Sequence, residues 1–333
     1  MPALAAAACG ETPGTLYLTS GAGDVIVVLD AADGTHRADL AVDPRPGEPD
    51  EPHGVALSPD GAFLYATVAH GAPSLWKFER PGDRRIGRLA LGGAGAARIA
   101  VSPDGRTGYV ADYERGSGGA PGEVVAVDLE DLSLLARARV CAGPHDVQPD
   151  PSGAVLAVAC SLGDEIVFLD ARTLRERSRV AAGTDVGPPG QPRYRPMNVA
   201  WLDGGAVAVT LMGSGELILV DTAGAVRRRA AVGAGPAQVA WEPSTRTFVV
   251  ANRGDGTASL VDVEPWGERL RVPLDATHPH GVAVDPDGAR AFVSYEGDVD
   301  GPGGVIALDA RSGRILWRAA AGVYTLGVAF APG

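Results

Sequence analysis

Hydrophobic and polar positions along this chain come in short bursts, and the bursts repeat. An apolar pair leading into a Pro-Asp-Gly turn occurs as GVALSPDG at residues 54–61 and returns as RIAVSPDG, DVQPDPSG, NVAWLDGG, QVAWEPST, GVAVDPDG and GVAFAPG. The anchors Val55, Ile99, Val147, Val199, Val239, Val282 and Val328 lie 40 to 52 residues apart, close to the period of propeller blades, about 40 to 50 residues each. Each copy is followed by a β-rich run such as FLYATV, TGYVAD or RAFVSY, a glycine-rich turn, a run ending in aspartate such as EVVAVD or EIVFLD, and an arginine-rich run. Four short runs separated by Gly, Pro and Asp turns predict one antiparallel sheet per unit. One such sheet cannot bury both of its faces, so the units must stack in a ring.

The seventh copy stops at Gly333 after one strand, whereas TLYLTSGAGDVIVVLD near the start supplies later strands without a first. The predicted fold class is therefore all-β: a seven-bladed β-propeller of four-stranded antiparallel blades over residues 15–333. N-terminal strands joining the C-terminal inner strand would close it, pairing edges that would otherwise stay open. TLYLTSGAGDVIVVLD, SPDGRTGYVAD and PSTRTFVVANRGDGTASLVD resemble the YVTN family of seven-bladed propellers over essentially residues 15–333. That resemblance implies the architecture and is nearly silent about activity. Relatives of this kind include surface-layer repeat proteins, lactone hydrolases, lyases, and the propeller parts of haem, quinone or copper enzymes.

With 45% hydrophobic and 21% charged residues, the 333-residue chain can bury a full core. Its formal net charge of -12 opposes docking on a phosphate backbone, so no nucleic-acid partner is expected. Of the three cysteines, Cys9 follows small residues in MPALAAAACG, which resembles the end of a lipoprotein signal without its basic or apolar regions. Residues 1–14 are read as a tail, possessing either this signal remnant or plain alanine-rich sequence. Any membrane association is expected only through a lipid on Cys9, and the location is expected to be periplasmic or extracellular, with cytoplasmic as the alternative. Cys141 and Cys160 are expected to be two buried thiols, with a disulfide as the other reading.

In a propeller the inner strands start at one face, the top, and the loops between second and third strands return to it. This places His53, His145 and His280 at the heads of inner strands, His278 just before one, and His70 in a top loop; only His36 falls at the bottom. The aligned positions around the ring read His53, Ala97, His145, Met197, Ala237, His280 and Leu326. The next positions add Arg98, Asp146, Asn198 and Gln238 as a polar second layer. At about 51° per blade the three histidines are spread around the axis, so convergence requires a narrow channel. Longer top loops add Arg193, Tyr194 and Arg195, and carboxylates from Asp112, Glu114, Glu296, Asp298 and Asp300.

Two functions compete for this face. The first is an extracytoplasmic binding module that takes a small molecule or a protein through the top face and needs no cofactor. It is preferred because no nucleophile–base pair can be read. The alternative is an enzyme, either a metal-dependent oxidoreductase or a lactone hydrolase or lyase. In that case His53, His145, His280 and Met197 are candidate ligands for copper or another transition metal. Other signals fail on context. LGGAGAAR leads into a strand rather than a helix, which excludes a dinucleotide loop. GVIALDARSGRILW is one quinoprotein-like copy in seven. Trp76, Trp201, Trp241 and Trp317 are read as blade packing, and the recurring Asp30, Asp128, Asp170, Asp221, Asp262 and Asp309 as turn formers.

Overall fold

The structure, a computed structural model, describes residues 14–93, 95–113, 120–203, 205–285, 289–298 and 301–333. The tail with Cys9, and the loop residues Glu114 and Asp300, lie outside them. The described chain forms seven antiparallel sheets of four strands. The inner strands are Pro52–Leu57, Ala96–Val101, Pro144–Pro149, Pro196–Leu202, Pro236–Glu242, Pro279–Asp285 and Thr325–Ala331, here numbered blades 1 to 7. In the closing blade Thr325–Ala331 pairs with Thr15–Ser20, which pairs with Val25–Asp30 and then His36–Ala41. The sequence expectation of closure by the two ends is met.

Alternation explains the layering. The outermost strand His36–Ala41 exposes four of its six side chains and half-buries the other two, while second and third strands such as Leu64–Val68 and Ile166–Leu169 are buried on both faces. Among the described residues, seven apolar clusters form, and each spans two neighbouring blades. No blade owns a core of its own; the ring is the unit that buries apolar surface. The repeated aspartates act as expected: Asp30, Asp128, Asp170, Asp221 and Asp309 accept backbone N–H groups within their own turns.

The inner strands are also tied by polar groups. Thr19, Thr67, Thr210 and Ser294 each accept from an inner-strand N–H of their own blade and donate to a carbonyl of the next. Side chains of Asp146, Asn198 and Gln238 reach the next blade in the same way, accepting from Val199, Val239 and Val282 N–H at 3.0, 2.8 and 3.4 Å. One expectation is corrected. Cys141 and Cys160 are not thiols but a disulfide, with Cα atoms 5.9 Å apart. Cys141 is the penultimate residue of the last strand of blade 2, and Cys160 ends the second strand of blade 3. Ring packing brings those two strand ends together, which spacing along the chain does not reveal.

Candidate functional site

Two backbone features build the mouth. First, every blade has a register shift where its inner strand begins, for example between Pro52 and Val55, Pro144 and Asp146, and Pro279 and Val282. Such bulges re-aim side chains at strand ends. Second, the residue two positions before each histidine-equivalent accepts a backbone N–H from the second-to-third loop: Glu51 from Ala69, Gly95 from Tyr113, Arg195 from Met212, His278 from Glu296. These positions take left-handed backbone at Glu51 (φ 56), Gly143 (φ 61), Arg195 (φ 54), Gly235 (φ 62), His278 (φ 55) and Tyr324 (φ 57). Glycine suits that conformation. Where a bulky polar residue stands instead, its backbone is strained.

The channel is narrow enough for convergence. The ring of His53 lies 5.8 Å from that of His145 and 5.9 Å from that of His280, both edge to face. Each imidazole is held at Nδ1. His145 Nδ1 donates to the Met197 carbonyl at 3.0 Å, and His280 Nδ1 donates to Glu296 Oε1 at 2.8 Å. His53 Nδ1 faces Glu51 Oε1 at 3.4 Å, and its buried Nε2 has no hydrogen-bond partner. Met197 thus enters the site through its carbonyl oxygen. Burial, with the neighbouring imidazoles, pushes the pKa of His145 well below 6.5. Burial also lowers that of His280, against the pull of Glu296.

Two carboxylates, the buried Glu296 and the half-buried Glu51, frame the cluster. Glu296 is gripped by Arg253 through two hydrogen bonds of 2.7 Å. Burial works against its charge, yet the bonds from His280 and Arg253 prevail and lower its pKa to about 2. Burial of Glu51 is likewise outweighed by hydrogen bonds from His53 and His70, which hold it well below the carboxylate range. His70 also meets the Tyr113 hydroxyl at 2.8 Å, and Tyr113 stands 6.2 Å from the His145 ring. His278, half exposed, is 3.8 Å from Glu296.

The remaining sequence candidates divide by place. Arg98 Nε binds Asp146 at 3.1 Å, and Asp146 also receives Asn198 Nδ2. Arg98, Asp146, Asn198 and Gln238 therefore lie in the channel wall among the blade ties. Trp201 and Trp241 do pack on the blade aromatics Phe168 and Phe248, as expected, and with Arg98 also line a 380 Å³ space inside the channel. On the 184–196 loop, Arg193 pairs with Asp185, and Tyr194 packs under Arg229 against the core between blades 3 and 4. Arg195 alone of the three offers a guanidinium without an ion pair or side-chain hydrogen bond among the described residues. Burial and the facing Arg253 lower its pKa. Asp112 is buried and Asp298 exposed.

Sequence reading missed Glu51, Tyr113, Asp164 and Arg253. The signal was present for Glu51: two columns upstream of the aligned histidines, the same repeat alignment reads Glu51, Arg195, His278 and Tyr324 against glycine in the other three blades.

A family model described as lactonase, 7-bladed beta-propeller, matches residues 17–316. The chain belongs to that family. Solved structures share the fold at low identity. A periplasmic gluconolactonase of Pseudomonas aeruginosa, PpgL, is 19% identical with a TM-score of 0.73, over 96% of this chain and 99% of that one. A putative 6-phosphogluconolactonase of Bacteroides fragilis NCTC 9343 is 15% identical with a TM-score of 0.71, over 98% and 99%. A functionally unknown protein of Desulfotomaculum acetoxidans DSM 771 is 11% identical with a TM-score of 0.75, over 96% and 99%. No curated protein matches in sequence. For this lactonase-family chain, the likeness to solved structures establishes the fold alone.

Proposed function

We propose that the protein is a lactone hydrolase working at the top mouth of the channel, on a hydroxylated lactone that carries an anionic group. The observation that carries this reading is the convergence of His53, His145 and His280 between the carboxylates of Glu51 and Glu296, in a chain of the lactonase family. Water held at the imidazoles attacks the carbonyl carbon, and the oxyanion forms beside the guanidinium group of Arg253. The ring C–O bond then breaks, and the proton lost by the water ends on the departing alkoxide, giving a hydroxy acid. Arg195, with no side-chain partner among the described residues, suits the anionic substituent. Turnover is preferred to simple binding because imidazoles oriented by carboxylates, as His280 is by Glu296, are equipment for moving protons, which a binding surface does not need.

The location we propose is outside the cytoplasm, periplasmic or extracellular. The Cys141–Cys160 disulfide suits an oxidising compartment, and the related PpgL is described as periplasmic.

The test is hydrolysis of a panel of γ- and δ-aldonolactones, with and without phosphate or carboxylate groups, at neutral pH. We expect turnover of the anionic members, a loss of about 100-fold or more in His280→Ala, and a raised KM in Arg195→Ala. No hydrolysis above the spontaneous rate across the panel would refute the reading.

A further inference from the structure

We propose that the imidazoles of His53, His145 and His280 form a three-nitrogen site for a divalent transition metal of the copper–zinc type. The argument begins with tautomers. A carbonyl oxygen and a carboxylate only accept, so Nδ1 of His145 and of His280 carries the hydrogen, and Nε2 of each neutral ring presents a lone pair. Among the described residues neither Nε2 has a hydrogen-bond partner, and the buried Nε2 of His53 has none either. Two imidazoles within 6 Å of the central His53 thus bring three acceptor nitrogens into one mouth with no donor among them. A water can donate two hydrogens to such a set; one divalent cation satisfies all three.

The outer contacts fit the same purpose. Histidines that bind metals usually donate their second nitrogen to a carboxylate or a backbone carbonyl, which fixes ring and tautomer. Here Glu296 serves His280, the Met197 carbonyl serves His145, and Glu51 faces His53. Arg253 in turn clamps Glu296. Imidazole ligands select copper, zinc, iron or nickel over magnesium and calcium, and copper and zinc lie at the tight-binding end of that series. The three rings do not offer one nitrogen each within 4.8 Å of the other two. Binding therefore requires the three side chains to draw together by small torsional adjustments within the reach of their Nδ1 contacts. The site stands on this geometry alone. Its use, acidifying the attacking water, rests on the lactone-hydrolase reading.

The experiment is calorimetric titration of the chelator-stripped full chain with Cu(II), Zn(II) and Co(II), together with electron paramagnetic resonance of the Cu(II)-loaded wild type. We expect one equivalent to bind and the spectrum to carry imidazole nitrogen coupling. Glu296→Gln should weaken binding by about 10- to 100-fold. His53→Ala, His145→Ala and His280→Ala should each cost more than that, and His36→Ala should change nothing. Binding that survives all three substitutions, a spectrum with oxygen ligands only, or no binding at all would overturn the proposal. If the alanine variants fail to fold, the wild-type spectrum decides. Lactone turnover is measured separately on the same samples. Hydrolysis by a protein that binds no metal refutes the metal site alone, and a metal-loaded protein that opens no lactone refutes the hydrolase reading alone.

Discussion

Asp164 shows how much one residue can organise. Its buried carboxylate accepts the backbone N–H groups of Gly187, Arg193, Tyr194 and Arg195 at 2.7 to 2.9 Å, setting the loop from which Arg195 reaches the mouth. Burial opposes its charge, but these four bonds prevail and lower its pKa below 3.8. A carboxylate with a depressed folded value stabilises above its unfolded pKa and loses that contribution as pH falls. Protection factors of those four amides should therefore drop as pH falls below 3.8, ahead of core amides such as that of Val158. Asp164→Ala should show the loss at neutral pH. Hydrogen exchange followed by mass spectrometry reads both, and full loop protection in the variant would refute this role. The repeat marks the position, since Asp24 fills the same turn and accepts the Asp50 N–H, but not the loop it sets, because the partners of Asp164 lie 23 to 31 residues farther on.

At the scale of elements, the left-handed positions before the inner strands separate structural from functional demands. A side chain in that conformation costs about 1–2 kcal/mol relative to an unstrained residue. Arg246 (φ 55) stands in a bottom turn, and His278 (φ 55) stands at the mouth. We predict that Arg246→Gly leaves lactone turnover unchanged and stabilises the protein by about 0.5–1 kcal/mol, after the larger chain entropy of glycine is set against the relieved strain. His278→Gly should match it in stability but reduce kcat/KM. Denaturant midpoints and steady-state kinetics on the two variants check this; equal activity would make His278 an ordinary turn residue. The strands themselves were legible, since alternation and Gly/Asp turns mark them. The bulges that turn each inner strand toward the mouth were not, because register belongs to a pair of strands.

Over the whole molecule, closure and cross-linking should fail differently. Removing residues 325–333 leaves Thr15–Ser20 without its inner partner and opens two blade interfaces. That truncation should abolish cooperative unfolding in a thermal melt. Cys141→Ser with Cys160→Ser should keep one cooperative transition and lose about 3 kcal/mol, the entropy of a loop of this size. The repeat period, the strand pattern, the split closing blade and the histidines at one end of the inner strands are all properties of local order along the chain, so the sequence by itself determined the ring and its busy face. Which groups meet across that ring is decided by channel width and blade rotation. These bring His53 within 6 Å of two histidines from non-adjacent blades, seat Glu51 and Glu296 behind them, draw Asp146 and Asn198 into the wall, and join Cys141 to Cys160. Only the tertiary structure could decide those contacts, because the repeat gives each residue its angle around the axis but neither the width of the channel nor the reach of its side chain.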